Sequence, residues 1–101
     1  MLAAFSVAPV AADTPDGSLS AAVAEAVRVV RDSRLPHETT SMFTTIEGEW
    51  DEVFDVIRRA TEAVAAVSPR VSLVVKADIR PGFTGQLTEK VTRLEERLSG
   101  D

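Results

Sequence analysis

Hydrophobic and polar positions along the chain alternate in two rhythms, and where the rhythm changes marks where one element hands over to the next. Leu2-Ala-Ala-Phe-Ser-Val-Ala8 is short, largely apolar and closed by Pro9, which predicts a strand within residues 1–10. Period two puts Phe5 and Val7 on one face and Leu2, Ala4 and Ser6 on the other. Asp13-Thr-Pro-Asp-Gly17 predicts a loop with a turn at Asp16-Gly17, and Ser18 is a candidate N-cap. The spacing of Leu19, Val23, Ala26, Val27 and Val30 predicts an amphipathic helix over 19–33. Arg34-Leu-Pro36 ends it, because proline lacks a donor and restricts the residue before it.

Two short strands follow, from about His37 to Ser41 and from Thr44 to Gly48, joined through Met42-Phe43 by a tight connection or a bulge. In the second, Ile46 faces the opposite way to Thr45 and Glu47, so Ile46 and Thr44 look toward the helices. Trp50, Val53 or Phe54, Ile57, Ala60 or Thr61, and Val64 mark the buried stripe of a helix over 50–67, with Asp51 and Glu52 suiting the positive end of its first turn. Val71-Ser-Leu-Val-Val75 is the strongest strand signal and extends through Lys76-Ala-Asp78. Val71, Leu73 and Val75 share one face; Ser72, Val74, Lys76 and Asp78 share the other. Pro81-Gly-Phe-Thr-Gly85 reads as a loop. Leu87, Val91, Leu94 and Leu98 predict a third helix at nearly heptad spacing.

The resulting order, strand-helix-strand-strand-helix-strand and then an extra helix, is that of an α+β split βαβ, or ferredoxin-like, sandwich. Such a chain forms a four-stranded antiparallel sheet with two helices packed on one face, here with an additional C-terminal helix. At 101 residues it is read as a single domain spanning 1–101. The other sheet face would hold Leu2, Ala4 and Val74 beside Ser6, Thr45, Glu47 and Lys76, too apolar to be left solvated. The third helix, a second subunit or both are expected to cover it, which predicts a homodimer or homotetramer.

Composition narrows the function classes. The chain has no cysteine and one histidine, which excludes a disulfide scaffold and weakens any zinc or haem centre. With 16 acidic against 11 basic residues, the net charge of −5 argues against a nucleic-acid surface and tolerates a cationic small molecule. The apolar start carries no basic n-region and meets Asp13 before membrane-spanning length, so it is read as a strand rather than a signal or membrane segment. A cytoplasmic location with no membrane partner is the corresponding expectation. No phosphate loop, zinc-binding motif or nucleophile elbow is present, and His37 has no nearby partner for base catalysis, so no catalytic residue is assigned.

Glu47 and Asp78 share a predicted face and are the best acidic candidates for recognition, with Lys76 able to pair with either carboxylate. Each also has a plain structural reading, Glu47 as an acceptor for backbone donors at the start of the second helix. Ser6 and Thr45 match that face; Thr40 and Thr44 are further hydroxyls. Met42 and Phe43 offer a soft apolar wall or a core contact. Trp50 reads as a helix-to-sheet anchor. Phe83 could close over a ligand, and Arg80 could hold the strand exit, an anion or a subunit.

Three segments carry a family resemblance: Phe5-Ser-Val-Ala-Pro9, then Thr40-Ser-Met-Phe-Thr-Thr-Ile-Glu-Gly48 running into Glu49-Trp-Asp-Glu52, and Val74-Val-Lys-Ala-Asp-Ile-Arg80. In order and spacing they resemble the small thiamine-binding protein family, and the likeness covers nearly the whole chain. It implies a ferredoxin-like fold assembled through its sheets into dimers or tetramers, and non-catalytic binding of thiamine or its pyrimidine part. Matched positions are Ser6 and Pro9, Thr40, Met42, Thr44, Glu47 and Gly48, and Lys76, Asp78 and Arg80. The implied ligand site comprises Ser6, Met42, Thr45, Glu47, Lys76 and Asp78, with Glu47 or Asp78 meeting the aminopyrimidine or the thiazolium charge. No cofactor beyond that candidate ligand and no metal is implied. The chain departs from the family pattern at Ala11 and Phe43, where glycine is common, and at Ser41, where proline is frequent. An adaptor that binds no thiamine is the competing reading, and a small enzyme comes third.

Overall fold

A computed structural model describes residues 1–10, 18–82 and 84–100. The Asp13–Gly17 loop with its Asp16-Gly17 turn, Ala11, Phe83 and the side chain of Leu19 lie outside the described residues. The elements are β1 (Leu2–Pro9), α1 (Ser18–Ser33), β2 (His37–Thr39), β3 (Thr44–Glu47), α2 (Trp50–Ala65), β4 (Val71–Asp78) and α3 (Gln86–Ser99). Ser18, the candidate N-cap, is itself the first helical residue of α1. Elsewhere the observed elements are the expected ones, trimmed by a residue or two at their ends.

The strands form one sheet in the order β2-β3-β1-β4, with every neighbouring pair antiparallel. β1 and β2 are therefore the separated outer parts of a βαβ unit, with β3 inserted between them, and the fold is the expected ferredoxin-like α+β sandwich. Register sorts the side chains into rows. His37, Ile46, Ala3 and Ala77 form one row and Thr39, Thr44, Phe5 and Val75 the next, both on the helix side. Glu38, Thr45, Ala4 and Lys76 form a row on the opposite side, and Leu2 lies between Glu47 and Asp78 in another.

The core follows the first set. Ala3, Phe5 and Ile46 from the sheet meet Ala22, Ala26 and Val30 of α1 and Val53, Val56, Ile57, Ala60 and Val64 of α2. Two expected core contacts are corrected. Val23 is exposed: α1 packs chiefly against α2 and buries Ala22, Ala26 and Val30 instead. Trp50 is 54% exposed and stacks on Phe54 with ring centroids 5.0 Å apart, so it lies over the outside of α2 rather than anchoring helix to sheet.

The start of α2 is closed locally. Glu52 accepts a hydrogen bond from the Glu49 N–H at 2.8 Å, and Val53 N–H donates to the Glu49 carbonyl at 2.9 Å. Gly48 must be small there, since a Cβ would lie 2.9 Å from Glu52 Oε1 and 3.2 Å from Val53 Cγ2. Gly48→Ala is therefore expected to displace Glu52 from its acceptor position and lower stability by about 1 kcal/mol, the usual value of a helix cap. An unchanged urea midpoint would contradict this.

The third helix departs from one expectation. It does not cover the open sheet face: its contacts with other elements are chiefly with β3, and Val91, Leu94 and Leu98 are exposed. The molecule is accordingly elongated, 52 × 29 × 20 Å. No helix among the described residues is long and apolar enough to cross a membrane.

Candidate functional site

The segment Thr40–Phe43 is a tight connection between β2 and β3. Thr40 N–H donates to the Phe43 carbonyl at 2.9 Å, and the Thr40 hydroxyl donates to the same carbonyl at 3.1 Å while accepting from Phe43 N–H at 3.3 Å. This short-range closure is what threonine at the head of a turn supplies. It holds Met42 outward, 73% exposed. Beneath the turn lies a cavity of about 230 Å³ between the sheet and α1. Its floor is Phe5 and Thr44, its wall is Val23, Ala26, Val27 and Val30, and its rim is the turn with Met42 and Phe43.

The floor carries paired hydroxyls. Thr39 Oγ1 and Thr44 Oγ1 are 3.3 Å apart, and Thr44 is buried. One hydroxyl donates to the other, which leaves one O–H and several lone pairs for a third group. A flat heterocycle bearing an amino group matches this: apolar faces from Phe5, Met42 and Phe43, with a donor and acceptors at one edge. The described lining contains no charged side chain, so this cavity favours a neutral ring over a full positive charge.

The six residues expected to form the ligand site are divided by the sheet. Met42 stands at the helix-side cavity, and Ser6 borders it while alternating toward the open face. Thr45, Glu47, Lys76 and Asp78 all belong to the open face, as period two requires. Glu47 has a partner of its own. It is 7% exposed; Oε2 accepts from the Gln86 N–H at 2.8 Å and Oε1 from the Leu87 N–H at 3.3 Å. The backbone donors it satisfies thus belong to α3, not to α2 as its place in the chain suggests. Gly85, before the first turn of α3, has φ of 68° and no side chain to cap with, so a carboxylate 39 residues away in sequence does so.

A second cleft of about 440 Å³ lies between Leu35, Pro36 and the root of α3, with Glu47, Glu49 and Glu52 around it. Glu47 and Glu52 there are already directed at backbone N–H groups. His37 Nδ1 donates to the Leu35 carbonyl at 2.9 Å, a strand-entry contact with no nucleophile in it. Among the described residues no three His, Cys, Asp or Glu side chains gather to hold a metal ion. On the outer face of α2, the Arg58 guanidinium holds the Asp55 carboxyl below the usual range, desolvation opposes it and Arg59 adds to it; Asp55 in turn raises Arg58. The side chains of that cluster are 44–64% exposed, and none of them lines the cavity.

Several contributors were not foreseen: Phe5 as a cavity floor, the Thr39 partner of Thr44, and Gln86. Phe5 and Thr39 share the row of Thr44, but finding them requires the strand register. Gln86 shows no sequence signal at all.

The fold is that of a ferredoxin-like α+β domain, with a hydroxyl-floored, apolar-walled cavity between its sheet and α1. The thiamine-binding protein family model matches residues 3–95, and the chain belongs to that family. It is 52% identical over 99 residues to the UPF0045 protein Mb1933 of Mycobacterium bovis, covering 97% of this chain and 94% of that one. Among solved structures, a Bacillus cereus domain of unknown function is 32% identical with a TM-score of 0.79, covering 91% of this chain and 86% of that one. A Thermotoga maritima protein provisionally ascribed to thiamine biosynthesis or salvage has the same fold, with a TM-score of 0.73 at 23% identity over 92% of this chain and 96% of that one.

Proposed function

We propose that the chain binds thiamine or its hydroxymethylpyrimidine moiety without chemistry, for capture, sequestration or delivery in the cytoplasm, and works as a homodimer or homotetramer. The observation that carries this reading is the Thr39–Thr44 hydroxyl pair on the floor of a mostly apolar cavity, in a member of the thiamine-binding family. The aminopyrimidine edge meets the hydroxyls, and Phe5, Met42 and Phe43 desolvate its faces. The thiazolium points out toward the rim, where the acidic net charge of the chain tolerates it. Glu47 is then a structural acceptor rather than a ligand contact. Ser6, Thr45, Lys76 and Asp78 serve the open face and its subunit contacts.

Calorimetry with thiamine, the pyrimidine fragment and the thiazole fragment tests this. Saturable binding of thiamine and of the pyrimidine, with little binding of the thiazole, is expected. Thr44→Val should weaken thiamine about tenfold, because a lost hydrogen bond to a buried ligand group costs roughly 1–2 kcal/mol. No binding by a correctly folded oligomer would favour an adaptor role. The bulky Phe43 at the cavity rim, where the family commonly has glycine, is the feature that supports that second reading.

A further inference from the structure

The cavity under the Thr40 turn has one wall that redox chemistry can change. The chain holds two methionines and no cysteine, so thioethers are its only sulfur groups. Met1 is partly buried against the core, whereas Met42 is 73% exposed and stands at the cavity rim. We infer that Met42 is a redox-modification site: a peroxide converts its thioether to the sulfoxide, and that change loosens the hold of the cavity on its ring ligand. This rests on the reading above that the cavity takes a pyrimidine, and adds a means by which that binding is regulated.

Exposure is what selects the residue. A thioether has no proton to lose, so its oxidation follows access to the sulfur rather than a shifted pKa. The Thr40 turn fixes that access. Its hydroxyl accepts from the Met42 N–H at 3.4 Å and from the Phe43 N–H at 3.3 Å, and donates to the Phe43 carbonyl at 3.1 Å. Closed in this way, the connection keeps Met42 at its exposed tip. Met42 lies on the helix side of the sheet, so subunit contacts through the open face leave it within reach. In the reaction a sulfur lone pair attacks one peroxide oxygen. The S–O bond forms as the O–O bond breaks, and the departing hydroxide takes the proton of the transferred hydroxyl to become water. Sulfur is oxidised by two electrons and the peroxide is reduced.

The effect on binding follows from what the rim has to do. A soft, polarizable thioether makes a favourable contact with a ring. A sulfoxide is polar, and the water it holds must be stripped before a ring can cover it. The described lining offers no cation to receive the new oxygen. The converse also holds: a ring seated against Met42 shields the sulfur, so the empty chain oxidises faster than the filled one. Sulfoxide reductases restore the thioether, which makes the change reversible.

Hydrogen peroxide is the probe, applied to the full chain with and without saturating hydroxymethylpyrimidine, while peptide mass spectrometry follows the gain of one oxygen at each methionine. Met42 is expected to oxidise about tenfold faster than Met1, and about fivefold more slowly once the pyrimidine is bound. Calorimetry of the oxidised chain should show pyrimidine affinity lowered about tenfold. Met42→Leu controls for oxidation elsewhere, at Met1 or Trp50: whatever its own affinity, peroxide should not change it, with circular dichroism confirming the fold. An equal loss in Met42→Leu would place the effect at another residue and overturn the proposal. So would unchanged affinity after full conversion of Met42, or equal oxidation rates with and without the pyrimidine. Met1 oxidising as fast as Met42 would overturn the choice of residue. An untreated chain that binds neither thiamine nor the pyrimidine would overturn the binding reading and the coupling with it, whereas the preference for Met42 over Met1 is read from the masses independently.

Discussion

Ile46→Ala is expected to lower the stability of the whole domain by about 3 kcal/mol, within the range for truncating a fully buried isoleucine. Ile46 is fully buried at the centre of the sheet, in a row with Ala3 and beneath both helices. The core residues around it that would have to collapse into the void are largely alanines and valines, none of which can lengthen to fill it. The measurement is the urea midpoint with its slope held constant, followed through both circular dichroism and Trp50 fluorescence. Coincident transitions shifted together are expected, because the core is shared by β1, β3, β4, α1 and α2. A loss below about 1 kcal/mol would mean that the packing around Ile46 relaxes far more than buried sites usually do.

The next residue gives a different kind of loss. Glu47→Ala is expected to cost about 2 kcal/mol, as hydrogen bonds to a charged acceptor are worth more than neutral ones, and to release α3 while the sheet and the first two helices stay folded. Removing the carboxylate leaves the Gln86 and Leu87 N–H groups without an acceptor, and Gly85 has no side chain to replace it. Hydrogen exchange is the discriminating readout. Protection over 86–99 should fall by more than tenfold in Glu47→Ala, with β1 and α2 unchanged, and Glu47→Gln should recover part of it through its remaining acceptor oxygen. Uniform loss of protection would show that Glu47 supports the core instead. Unchanged protection in α3 would show that the helix is held by something other than its root.

Ile46 and Glu47 also show how far the sequence could be read. That they face opposite ways follows from strand alternation alone, and so does the membership of Thr45, Lys76 and Asp78 in Glu47's face. Alternation does not reveal what lies above a face. Glu47 stands three residues before the first residue of α2, which made that helix the natural claimant of its oxygens. The claimant is α3, because α2 is closed by its own Glu52 and α3 begins on a bare glycine. Met42 illustrates a second limit. Its motif was legible, but the side of the sheet on which it opens depends on the Thr40 turn, whose hydrogen bonds hold it over α1 rather than over the face of Lys76. Trp50, large and apolar at a helix start, looked like an anchor; Val53, Val56 and Ile57 fill that stripe and leave it outside.

By itself, the sequence determined the element order, the split βαβ topology, the two faces of each long strand and the family, because these depend on local periodicity and on which residues stand at turns. Only the tertiary structure decided the strand register, which sets Thr39, Thr44 and Phe5 in one row under α1. It alone decided that α3 leaves the open sheet face uncovered and that Glu47 is occupied in rooting it. The reason is physical: periodicity records which side of an element is apolar, whereas the partner of that side is chosen by distances between segments that are far apart in the chain.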